Sequence, residues 1–297
     1  MQDKILVIIV TYNGMEWMER CITSVCSSSV PADIFVIDNG STDGTQDYLM
    51  NCGKEIMFIQ SEENLGFGRA NNKGLEYAAK NGYDYVYLLN QDAWVEKDTF
   101  EILIRTHKKH PEFGILSPVQ IEANGMHMDK NFLNSVALKS IESNFTEDQY
   151  FGTEREIYTS KDVMAAHWLI SRDCLLRTGG FSPAFRHYGE DNNYIDRAEY
   201  HRFKAGFVPA TRAVHDRESR RNTLDCPARR INIITLIELS DITKDISWFR
   251  IIAKYIQYTY KYCMIRHFKE LFRNIFRLKE TLAYRKKSYM EGAFLDL

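Results

Sequence analysis

The sequence predicts an α/β protein: a mostly parallel mixed sheet flanked by helices, with a C-terminal helical extension. Three observations predict it. Apolar runs of strand length alternate with helix-patterned segments from Lys4 to about Leu89. Polar residues gather where each run stops. The last stretch, from Arg229, has helical patterning and no proline or glycine before Gly292. Alternating β and α runs pack as a sheet covered by helices.

The elements follow in order. Ile5–Val10, Ile34–Ile37, Ile56–Ile59 and Tyr85–Leu89 are apolar runs that read as buried strands. Residues 16–27 carry helical spacing through Trp17, Cys21, Ile22 and Val25. Residues 45–51 and 68–81 complete the alternation as helices. In such a sheet, ligands lie beyond the C-terminal strand ends. Thr11 and Asn13, Asp38 to Asp43, Asn64 to Arg69, and Asn90 to Asp92 stand at those ends. Residues 120–159 are rich in Asn, Glu and Ser and read as an insertion or mobile acceptor-side loop. Strong patterning resumes at Val163–Ile170. The expected division is a catalytic domain over 1–228 and a helical region over 229–297.

Composition narrows the classes. The chain has 297 residues, 44% hydrophobic and 26% charged, which is a globular balance. A formal charge of -2 gives no whole-molecule field for nucleic acid. Six residues of Ile5–Val10 are too few for a secretory core, and no run reaches membrane-spanning length. The six cysteines are scattered with no C-x-x-C pair, against a zinc site or disulfide framework. A cytoplasmic location is expected.

Five segments can carry chemistry, and each has an ordinary structural reading beside it. Asp38-Asn39-Gly40-Ser41-Thr42-Asp43-Gly44 puts a carboxylate after a buried strand, where it can accept from a base or ribose. A turn with a helix cap explains it equally well. Asn64-Leu65-Gly66-Phe67-Gly68-Arg69-Ala70-Asn71 opens a helix with glycines and an arginine, features that can hold phosphate. It is not the dinucleotide fingerprint, because Asn71 stands where glycine or alanine is wanted and the segment follows the third strand. Asp92 ends a buried strand, and a carboxylate there needs a partner or a divalent cation. Gly189-Glu190-Asp191 supplies adjacent carboxylates for a general base, or simply an acidic helix start. His215 is interesting only as a second metal ligand beside Asp92.

In this order, Val7–Asn13, Val36–Thr45, Glu63–Gly68, Leu89–Asp92, Gly179-Gly180-Phe181 and Glu190-Asp191 resemble the family 2 glycosyltransferases, rhamnosyltransferase-like members among them. The resemblance covers about residues 4–217. It implies the A-type glycosyltransferase fold and inverting sugar transfer from a UDP- or dTDP-sugar, dTDP-rhamnose included. The implied acceptor is a hydroxyl of a saccharide or lipid-linked saccharide in surface polysaccharide synthesis. It implies a donor site of Thr11, Asn13, Asp38, Asn39, Ser41, Gly66, Arg69, Asn71 and Asp92. Mg²⁺ or Mn²⁺ would be held by Asp92 and His215, with Asp191 as general base and Glu190 beside it. His167, Trp168 and Arg197 are expected on the acceptor side.

Two positions depart from the pattern. Asn90 stands where a first D-x-D carboxylate often stands, and Asn193 replaces a frequent acid. These keep a catalytically silent sugar-nucleotide-binding module in view as the alternative. A nucleotidyltransferase is a second alternative, but Thr11-Tyr12-Asn13-Gly14 lacks its lysine-bearing glycine-rich loop. No Q-x-x-R-W sequence occurs, against a processive synthase.

Residues 245–290 mix aromatic and basic side chains, Trp248, Phe249, Tyr255, Tyr258, Tyr260 and Tyr262 among them. They read as a packed cap or homodimer surface, with peripheral membrane contact on the inner face of the cell membrane as the alternative. No nucleic-acid motif accompanies the charge.

Overall fold

The structure is a computed structural model that describes residues 3–138, 145–186, 188–217, 227–253 and 268–297, with side chains described outside 227–232 and 268–277. Cys226, Cys263 and the tyrosines at 255, 258, 260 and 262 lie outside those residues.

Four parallel strands form one half of the sheet: β1 (Ile5–Thr11), β2 (Asp33–Asp38), β3 (Ile56–Gln60) and β4 (Tyr85–Asn90). Their helices are α1 (Met15–Cys26), α2 (Thr45–Asn51) and α3 (Phe67–Lys80). Each lies within one or two residues of its sequence expectation. The second half is mixed. It holds β5 (Ala93–Val95), β6 (Ile115–Ile121), β7 (Tyr158–Thr159), β8 (His167–Ser171) and β9 (Ala205–His215). The strand order is β3-β2-β1-β4-β8-β6-β9-β5, with β7 beside β9. Strands β4 and β8 are antiparallel, β6 and β9 parallel, and β5 and β9 antiparallel.

Strand periodicity sorts the core. Ile5, Val7 and Ile9 face α1 and α4 (Thr99–Lys109), packing with Met18, Ile22, Phe100 and Leu103. Leu6 and Ile8 face α3 and pack with Leu75 and Ala78. That second layer continues through Trp168, Phe181 and Tyr194, the last from α8 (Glu190–Tyr200). Gly74 of α3 lies against Ile8, where a Cβ would come within 2.6 Å of Cδ1.

Residues 120–159 correct the expectation of a mobile loop. Asp129 accepts from Phe132 N at 2.8 Å and starts α5 (Lys130–Phe132), which runs on into a wider helical turn at Leu133–Ala137. After residues 139–144, which are not described, α6 (Phe145–Phe151) and β7 follow. Phe132, Phe145 and Tyr158 pack their rings on Phe207 at 5.0–5.2 Å. Isolated aromatics in a polar background thus fill one end of the core.

The C-terminal segment is helical in α9 (Pro227–Ser240) and α10 (Phe268–Lys287), but the chain turns at Asp241–Ser247 between them. The Arg285 guanidinium donates to the carbonyls of Leu239, Asp241 and Lys244 and ties α10 to that turn. Past α10, Gly180 N donates to Ala293 O at 2.8 Å, and Leu295 enters the core. Gly179 has φ +81, and a Cβ there would clash with Ala293 O. The end of the tail therefore packs on the rest of the chain. Among the described residues no helix is long and apolar enough to cross a membrane.

Phe132→Ala should cost about 3–5 kcal/mol, the usual loss for a buried aromatic. On a chain of this size the thermal midpoint should fall by on the order of 10 °C. An unchanged midpoint would mean that the 120–159 segment does not carry core packing.

Candidate active site

Strand register brings the chemistry to one end of the sheet. Thr11 pairs with Asp38, and Val10 with Asn90, so three parallel strands stop together. Ala93 pairs with His215, which sets Asp92 beside the histidine across the β5–β9 pair.

The donor-side loops are tied by side chains. Asn13 adopts φ 49, and its Oδ1 accepts from Thr42 N at 2.8 Å while its N–H donates to Ser41 Oγ at 2.8 Å. Asp38 is buried and accepts from Gly40 N, Ser41 N, Ser41 Oγ and Gln46 Nε2. Its carboxylate is thus built into the turn. Asn39 Oδ1 accepts from Leu65 N at 3.3 Å, which links this turn to the glycine loop. Gly66 has φ +79, and a Cβ there would meet Arg186 O at 2.7 Å. Arg69 is exposed, with Nε on Leu65 O at 3.2 Å. Asn71 is buried and donates to Phe67 O at 3.0 Å, a bond within α3. Gln91, absent from the sequence-based site, is the main tie. Its Oε1 accepts from Thr11 Oγ1 and Tyr12 N, both at 2.8 Å.

Asp92 and His215 are fully buried, with His215 Nε2 3.7 Å from Asp92 Oδ1. Gln120 Nε2 faces Met164 O at 3.2 Å and Ser117 Oγ at 3.3 Å, and its Oε1 meets His215 Nδ1 at 3.3 Å. His215 Nε2 faces Asp92 Oδ1 and Asn90 Nδ2, the latter at 3.5 Å. Burial lowers the His215 pKa, and Asp92 partly opposes that shift. A carboxylate and a neutral imidazole converge here. That donor set suits Mg²⁺ or Mn²⁺ with the remaining positions left to ligand and water. Among the described residues no group of three such ligands exists.

Arg217 was not anticipated. Its Nε lies 3.1 and 3.3 Å from the two ring nitrogens of His215. It also reaches Asp129 Oδ2 at 3.5 Å.

Asp191 is half-buried in the first turn of α8. Burial raises its pKa, and the Asn192 N–H at 3.0 Å and the charge of Arg217 oppose the rise. Glu190 is buried, and among the described residues its Oε2 has no hydrogen-bond partner. Burial, and secondarily Asp191, push its pKa up to about 8.

The three residues expected on the acceptor side are corrected. His167 is buried between Tyr87 OH and Val214 O, both at 2.9 Å, and burial lowers its pKa to about 3. Trp168 stacks on Phe181 inside the core. Arg197 is buried and donates to Thr178 O at 2.6 Å, Gly180 O at 2.5 Å and Asn193 Oδ1 at 3.2 Å. All three are scaffold. Asn193 is part of the same staple, through Oδ1 to Arg197 Nε and Nδ2 to Ser240 O.

A sheet of this order, with a carboxylate and a histidine where its mixed half meets the parallel half, defines the A-type glycosyltransferase class. Solved structures share it. TarS 1-349 of S. aureus superposes with a TM-score of 0.60 at 15% identity, covering 97% of this chain and 83% of that solved chain. A mannosyltransferase from Pyrobaculum calidifontis, in complex with GDP-Man and Mn²⁺, gives 0.58 at 16% identity over 97% of this chain and 74% of that one. The sequence profile described as Glycosyl transferase family 2 matches residues 6–174, and the chain belongs to that family of glycosyltransferases. Among curated relatives, the N-acetylglucosaminyl-diphospho-decaprenol L-rhamnosyltransferase of Mycobacterium tuberculosis is 25% identical over 72% of this chain and 76% of its own length. The poly-beta-1,6-N-acetyl-D-glucosamine synthase of Staphylococcus epidermidis is 29% identical over 37% of this chain, which spans only 27% of that relative. Glycosyltransferase GlyA of Streptococcus pneumoniae is 31% identical over 35% of this chain, which spans 15% of it.

The Glu190 environment gives a pH test. A carboxyl with a raised folded pKa stabilises below its unfolded value, near 4.5, and that contribution is lost as pH rises toward about 8. Glu190→Gln should therefore raise the thermal midpoint relative to the parent at pH 8 and not at pH 4.5. A difference independent of pH would contradict the buried, protonated carboxyl.

Proposed function

We propose that the chain transfers a sugar, with inversion, from a nucleoside-diphosphate donor to a hydroxyl of a saccharide or lipid-linked saccharide in surface polysaccharide synthesis. One observation carries this reading: the buried Asp92–His215 pair and the half-buried Asp191 share the positive field of Arg217 at one end of the sheet. That arrangement supplies a place for a diphosphate leaving group and a separate carboxylate for the attacking hydroxyl.

In this mechanism Thr11, Asn13, Asp38, Asn39, Ser41 and the Gly66–Arg69 loop shape the nucleoside end. Asp92 and His215 would hold Mg²⁺ or Mn²⁺, whose charge would stabilise the departing diphosphate. Gln120 holds the His215 ring beside Asp92. Asp191 takes the proton of the acceptor hydroxyl as its oxygen attacks the anomeric carbon, and a base so placed contributes about 10²–10⁴-fold. Glu190, held protonated, leaves Asp191 as the ionised member of the pair. One displacement gives an inverted product. The mycobacterial relative's name supports a deoxyhexose donor such as dTDP-rhamnose and a lipid-linked acceptor, and a UDP-sugar is the other donor class in keeping with the fold.

A panel of UDP- and dTDP-sugars, assayed with and without Mn²⁺, tests the reading. Turnover of at least one donor is expected. Tight nucleotide binding with no turnover of any donor would favour a silent binding module. Asp191→Asn should cut transfer about 10²-fold or more while leaving donor affinity nearly intact. Transfer at the parent rate would remove Asp191 as the base. Asp92→Ala should abolish the Mn²⁺ dependence of donor binding measured by calorimetry, and an unaltered dependence would remove the metal assignment.

A further inference from the structure

The charge of the chain is unevenly placed. Residues 245–290 hold eleven Lys and Arg against three Asp and Glu, a formal +8 in a chain whose total is -2. The remaining residues therefore sum to -10. One end of the sequence is strongly cationic, and the rest repels the same partners that end attracts.

The described start of this stretch has a second feature. Residues 248–253 are helical. Phe249 is 83% exposed, Ile252 56% and Trp248 47%. At 3.6 residues per turn these three share one arc of the helix. Ile251 points elsewhere and is buried. Arg250 is exposed on the opposite side of the helix. Single exposed apolar residues are ordinary, but a contiguous exposed apolar arc marks a contact surface.

We propose that Trp248, Phe249 and Ile252 dock this chain on an anionic lipid bilayer. The positive charge of the surrounding sequence draws the chain to the headgroups, and the three side chains enter the headgroup–acyl boundary. Charge complementarity selects this occupant. A second copy of the chain, related by a two-fold axis, would bring one cationic stretch against the other. Nucleic acid would match the charge but would leave the apolar arc in water. The contact is interfacial, since among the described residues no helix is fit to span a bilayer. It does not depend on which sugar or acceptor the active site uses.

The test is co-sedimentation of the full chain with vesicles of phosphatidylcholine alone or mixed with phosphatidylglycerol. The parent should bind the anionic vesicles and not the neutral ones, and high salt should weaken the binding. The triple variant W248A/F249A/I252A should lose on the order of 10-fold in partitioning, with an unchanged thermal midpoint. Phe249→Glu, at the most exposed of the three positions, should reproduce the loss and serves if the triple variant is unstable. No binding of the parent to anionic vesicles would overturn the proposal. So would full binding by both variants. A parent dimer that becomes monomeric in the variants, with no vesicle binding by either, would make this face an interface between copies and overturn it too.

Discussion

The site depends on the pairing of β9 with β5. His215 lies opposite Ala93 in that pairing, so the residue before Ala93 comes to the imidazole. Strand side chains alternate, and a slip of one residue would turn His215 to the other face of the sheet. The same strand pairs in parallel with β6, where Gln120 lies opposite Ala213 and reaches His215 Nδ1. Three strands distant in sequence thus fix one imidazole and its carboxylate neighbour. β8 adds support from below, because His167 spans from Tyr87 to Val214 O and holds β9 against β4.

The polar groups around this point fall into two kinds. Asp38, His167 and Arg197 have their hydrogen-bonding atoms engaged by the scaffold itself. Such saturation is what allows charged or polar side chains to be buried. They stiffen the turn after β2, the β4–β9 crossing and the Gly179–Gly180 corner. Asp92, His215, Asp191 and Arg217 instead converge on one another, where a ligand can complete their interactions. The buried Glu190 restrains this second group, since a neutral carboxyl beside Asp191 adds no negative charge to the pair.

The first ninety residues were legible because the apolar runs are short, uninterrupted and bounded by polar residues. Boundaries agree within one or two residues for β1 to β4 and for α1 to α3. The mixed half was not read. β5 and β7 are too short to show a period, and Pro118 and Pro209 break the patterns of β6 and β9. The 120–159 segment hid its core role because Phe132, Phe145 and Tyr158 are single aromatics among polar residues. In the site, the strand-end acids stood out, but Gln91, Gln120 and Arg217 have no motif around them. Gln120 did carry a signal: one amide within an apolar strand must find partners. Arg217 carried a fainter one, two residues beyond His215 in the strand period. His167, Trp168 and Arg197 misled because proximity in sequence to a patterned segment says nothing about which way a side chain points.

In the proposed mechanism Asp191 acts only as a base, and the acceptor oxygen displaces the leaving group in one step. The stereochemistry of the product therefore tests the central claim most directly. With an active donor in hand, proton NMR of the product formed before any anomerisation should show the configuration at the transferred anomeric carbon opposite to that of the donor. Retention of the donor's configuration would contradict the account, because it would require a second nucleophile that the Asp191 mechanism does not contain.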